Sequence, residues 1–65
     1  MIQRSDMQAL LTMVLERPEK VKQLNAKDKD FIANMRVQVG TYGYAFSEKQ
    51  FNWLQSIYRK VYRNV

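Results

Sequence analysis

The side chains able to do chemistry in this chain are few, and the most versatile ones are missing. There is no Cys and no His, which removes thiolate nucleophiles, disulfides, the commonest metal ligand and the usual general base. Nucleophilic catalysis is left with Lys–Ser or carboxylate arrangements. Asp28 and Asp30 are the closest non-capping carboxylates, and at i,i+2 on a helix they point apart. Neither a metal pair nor a glycosidase pair is indicated. Gly40 and Gly43 lack the preceding strand and following motif that a phosphate-cradling loop requires. The residues therefore predict a non-enzymatic protein with no catalytic residues, no metal ligands, no cofactor and no small-molecule substrate.

One constellation remains, and it is basic. Lys49, Arg59, Lys60 and Arg63, with Asn52 and Ser56 between them, form a line that can follow a phosphate backbone, where cations gain affinity by releasing counterions. Trp53 falls at the edge of that line, and Tyr42 and Tyr44 add stacking surface for unpaired bases. The candidate nucleic-acid-binding residues are thus Lys49, Asn52, Trp53, Arg59, Lys60 and Arg63. Two plainer accounts compete with this one: a basic outer face is often simply solvated, and a Trp often caps a small core.

The element that positions these residues is a helix opening at Ser47. Ser47 and Gln50 have the types and spacing of a capping box, and Phe46 and Phe51 those of a hydrophobic staple. At about 100° per residue, Phe51, Leu54, Ile57, Tyr58, Val61 and Val65 share one face, and the basic line occupies the other. The predicted helix covers about 48–63.

Two further helices are expected. Ser5 and Gln8 repeat the capping signature before Met7, Leu10, Leu11, Val14 and Leu15, which predicts a helix over about 6–17. With Met13 its apolar sector widens to roughly 200°, about twice what one core needs. Either this helix is central, or Met7, Leu11 and Leu15 form an interface. Pro18 breaks the chain there, leaving room for a short helix over 19–24 with Val21 and Leu24 inward. Asn25 caps a helix over about 26–39, with Phe31, Ile32, Met35 and Val39 on one face and Gly40 placed to end it in the left-handed conformation. Ala33 and Val37 fall nearly opposite that face, as ordinary surface residues or as a small second contact patch. In the connection, at least one Tyr should lie over the core with its hydroxyl wet. The expected architecture is an all-α domain: a small three-helix, bundle-like fold with a fourth short helix as an option. A helix-turn-helix is disfavoured, because that motif needs a turn of three or four residues and Gly40 to Phe46 is longer.

Sixty-five residues make one domain with a thin stability margin, since cores this small rarely supply more than about 3–5 kcal/mol. Net charge is +5 and grows toward the C-terminus, where Glu48 alone opposes four basic residues after Phe46. Such a balance favours nucleic acid or an acidic protein as partner, and the thin core makes a homo-oligomer a further option. Ala9 to Leu15 is too short and interrupted to span a bilayer, and no small-residue cleavage site follows. The expectation is a cytoplasmic protein without a membrane partner.

Asp30-Phe31-Ile32-Ala33-Asn34-Met35, a short Gly-containing connection, then Ser47-Glu48-Lys49-Gln50, Trp53-Leu54 and Ile57-Tyr58-Arg59-Lys60 together resemble a small helical module of many uncharacterised bacteriophage and prophage proteins, sometimes beside DNA-processing domains. The resemblance spans residues 25–63. It implies a phage-type accessory protein tied to DNA transactions or host takeover, and it brings no assigned site residue. The alternative function is a protein-interaction module or regulator of a host enzyme, working through the wide apolar surface of the first helix.

Overall fold

Four helices follow one another in the computed structural model, which describes residues 2–63: α1 (Arg4–Leu15), α2 (Pro18–Val21), α3 (Ala26–Val39) and α4 (Glu48–Val61). The domain is a small all-α bundle, with α2 as the short fourth helix. Val65, expected on the apolar face, lies outside the described residues.

The first helix is the central one. It packs against α4, α3 and α2 in turn, which explains why its apolar sector is so wide. Met7, Leu11 and Val14 are buried among Phe31, Ile32, Met35, Val39, Phe46, Leu54, Ile57 and Val61. Full burial of such a side chain stabilises by about 1.5–3 kcal/mol, so these residues carry most of the fold. The expectation that Met7 and Leu11 form an interface is therefore corrected: at 0% and 4% exposure they have no surface to offer. Leu15 is half-buried at the edge of the core, and Met13 stays partly exposed.

The start of α1 also departs from the reading of Ser5 as its cap. Gln3 is the N-cap and makes no side-chain cap bond, while its carbonyl accepts from the Asp6 and Met7 N–H groups. Starting two residues early places Ile2 just before the cap and Met7 four residues inside, the spacing of a hydrophobic staple. Both meet the core. Burying Ile2 wins over the weaker hydrogen bond of a Ser cap.

At the other helix starts, local chemistry prevails. Pro18 takes the first position of α2, and Arg17 before it is non-helical at φ −121° and ψ 64°. The Asn25 side chain accepts from the Asp28 N–H at 2.8 Å. Ser47 and Gln50 form the complete capping box, with Ser47 N donating to Gln50 Oε1 at 2.9 Å and Gln50 N to Ser47 Oγ at 3.2 Å. Phe46 is buried and Phe51 packs against the core.

Gly40 does not adopt the expected left-handed conformation; it is helical at φ −82°. The last carbonyls of α3 are met instead by tight bonds from Gly40 N to Val37 O and Thr41 N to Gln38 O, and by the Thr41 hydroxyl, which donates to Val37 O at 2.9 Å. Reversal falls to Gly43, at φ 79°, in a turn closed by Tyr44 N donating to Thr41 O. From there Tyr44 tilts against Phe46 at 4.8 Å and accepts a bond from Gln50 Nε2 at 3.0 Å. Tyr42 stands 95% exposed.

Candidate nucleic-acid interface

α4 is amphipathic because its buried residues Leu54, Ile57 and Val61 recur at helical spacing. That leaves Lys49, Asn52, Ser56, Arg59, Lys60 and Arg63 exposed on the outside. Its C-terminal end is held firmly against α1. Tyr62 hydroxyl donates to the Met13 carbonyl, Tyr58 and Tyr62 pack at 4.8 Å, and the Arg17 guanidinium lies 5.0 Å over the Tyr62 ring.

Between α3 and α4 the arrangement is different, because their backbones scarcely approach one another. Long side chains bridge the gap. The Trp53 indole stacks on Phe31 with ring centroids 4.3 Å apart and planes 20° from parallel, and its Nε1 donates to Asp28 Oδ1 at 2.8 Å. Lys60 Nζ donates to Asp28 Oδ2, also at 2.8 Å. Asp28 is the one buried charged residue of the core, 4% exposed, and both of its carboxylate oxygens are taken. Burial raises the pKa of this carboxyl, but the bonds from Lys60 and Trp53 and the Lys60 charge outweigh burial. Its pKa therefore lies below the ordinary 3.8.

These contacts divide the expected site. Trp53 and Lys60 direct their polar atoms into the fold, and Lys60 forms the only ion pair among the described residues. The Lys60–Asp28 pair adds no net charge to the face. Lys49, Asn52, Arg59 and Arg63 remain outward and exposed. The fold also brings in a cation that the spacing did not suggest. Lys20 of α2 lines a cleft of about 390 Å³ together with Leu24, Asn25, Asp28, Lys60 and Arg63. No local signal marks Lys20 for this place, since it sits in what reads as a connector. Asp28 was equally hidden: its position in the first turn of α3 already accounts for an acidic residue there.

Among the described residues no cluster of acidic side chains could hold a metal ion, and no helix is long and apolar enough to cross a membrane. Compared with models of protein families, with curated proteins and with solved structures, the chain finds no match.

Proposed function

We propose that this chain is a non-enzymatic, phage-type accessory protein that engages nucleic-acid phosphates, alone or within a nucleoprotein partner, through the outer face of α4. The observation that carries the reading is the exposure of Lys49 and Arg59 on one side of α4, whose only acidic residue is Glu48, and of Arg63 just beyond its end. The helical part of the line, Lys49 to Arg59, is roughly 15 Å long at about 1.5 Å per residue. Duplex DNA carries one charge per about 1.7 Å of axis, so a line of this length runs beside several phosphates. Asn52 and Ser56 add hydrogen-bond donors for phosphate or sugar, and Lys20 with Arg63 extends the positive edge around the cleft.

Three free cations predict modest affinity with little sequence preference, because phosphate contacts position a protein without reading bases. Fluorescence anisotropy with labelled single- and double-stranded DNA and RNA tests the reading. Binding at low salt that weakens steeply as salt rises, and disappears in Arg59→Glu/Arg63→Glu, is the expected result. No binding of any of these at low salt would sink it.

A further inference from the structure

Leu15, Val21, Ile32 and Ala33 line a second groove, formed where α1, α2 and α3 meet, and Lys22, Lys29 and Arg36 line it with them. No lining residue belongs to α4, so the groove is separate from the face discussed above. Ala33 is exposed, and Val37, one turn further along α3, is 69% exposed. Lys29 and Arg36 are seven residues apart, two turns of the same helix, and run as a line between Ile32 and Ala33. No carboxylate lines the groove. The Asp28 carboxylate is taken by Trp53 and Lys60, and Asp30 stands about a quarter-turn round from Lys29.

We propose that this groove docks an acidic amphipathic helix of a partner protein, with the helix's apolar side chains over Leu15, Val21 and Ile32 and its carboxylates against Lys22, Lys29 and Arg36. An apolar floor between two helices suits the i, i+3, i+4, i+7 anchors of an incoming helix. The three cations give that helix its sign and its orientation. Nucleic acid is a poorer occupant, because aliphatic side chains gain nothing from phosphates and no aromatic ring lines the floor for a base to stack on. A second copy of this chain is opposed by its own net charge of +5. The small Ala33 lets a helix backbone approach closely.

The test is an NMR titration of the intact, isotope-labelled chain with two synthetic peptides of about 18 residues, long enough to be helical alone. Both carry the same leucine stripe and Ala elsewhere except at the positions flanking the stripe, where one has Glu and the other Lys. The Glu peptide should shift the amides of Val21, Lys22, Lys29, Ala33, Arg36 and Val37, and the Lys peptide should not. Lys29→Glu/Arg36→Glu should weaken the Glu peptide by roughly tenfold or more, and Ala33→Glu should abolish its binding, with the circular dichroism melt unchanged in both. These exposed positions leave the core intact. Arg59→Glu/Arg63→Glu should bind the Glu peptide as well as the parent, which separates this result from the fate of the α4 reading. The proposal is overturned if the Glu peptide shifts none of these amides at millimolar concentration or if the Lys peptide binds equally. It is also overturned if the same amides respond to duplex DNA or anionic vesicles and not to the Glu peptide, or if the chain alone dimerises through the groove.

Discussion

Trp53 Nε1 donates to Asp28 Oδ1 at 2.8 Å, across 25 residues of chain, and Lys60 meets the other oxygen of the same carboxylate. Through that one buried group, α4 is tied to the start of α3. The outer face of α4 is held at a fixed angle to α3 by polar bonds and the Phe31–Trp53 stack, where backbone contact is sparse.

Asp28→Ala should cost about 2 kcal/mol, because it strands the Trp53 N–H and removes charge-assisted bonds. In a domain this size, that shifts the melting temperature by very roughly 8–16 °C. Thermal denaturation followed by circular dichroism measures it, and a parental melting temperature would show that the bridge is absent in solution.

The same carboxylate makes a pH prediction. Its pKa is lowered in the folded protein, so its stabilisation is fully present above the ordinary value of 3.8 and is lost as pH falls through the lower folded value. The stability gap between the parent and Asp28→Asn should thus be constant near neutral pH and shrink on acidification below about 4. Urea melts at several pH values between 7 and 2.5 measure the gap. A gap that widened on acidification would contradict the sign.

Lys60 and Arg59 are neighbours, one paired with Asp28 and the other exposed. Lys60→Met should lower stability by about 1 kcal/mol, discounted because the lysine side chain is 51% exposed. Arg59→Met should change stability by less than about 0.5 kcal/mol and instead reduce nucleic-acid affinity. Paired melts and anisotropy titrations on the two variants distinguish them, and identical behaviour would remove the distinction.

Replacing either glycine by alanine separates two turn geometries. Gly40 is helical, and its nearest neighbour to an added Cβ is an ordinary 3.5 Å away, so Gly40→Ala should be neutral or stabilise by up to about 1 kcal/mol. Gly43 has open space around it but a φ of 79°, and Gly43→Ala should cost about 1–2 kcal/mol through backbone strain alone. Equal melting temperatures for the two would argue against the turn.

Leu54→Ala, at a site with no exposure, should cost about 2–5 kcal/mol, a large share of a total of about 3–5 kcal/mol. Leu11→Ala should behave similarly, whereas Leu15→Ser should cost distinctly less. Chemical denaturation at one pH orders the three. Leu11→Ala melting like the parent would return Leu11 to the surface.

What the sequence alone determined is what depends on residues a few positions apart. The Ser47–Gln50 box, the Asn25 cap, the break before Pro18, the division of α4 into apolar and basic faces and the all-α class all follow from spacings of three to seven residues. Where two local solutions competed, the tertiary structure chose. Ser5 lost its cap because an earlier start let Ile2 reach the core, and Gly40 stayed helical because Thr41 and Gly43 took over the ending and the reversal. The width of the α1 apolar sector was legible, but its meaning was not: only the packing of three helices around it placed Met7 and Leu11 inside and left Leu15 at a groove. The Asp28 bridge was invisible for the same reason. Its partners are 25 and 32 residues away, and nothing in the sequence records which charges of a basic face the fold will neutralise and which it will leave exposed.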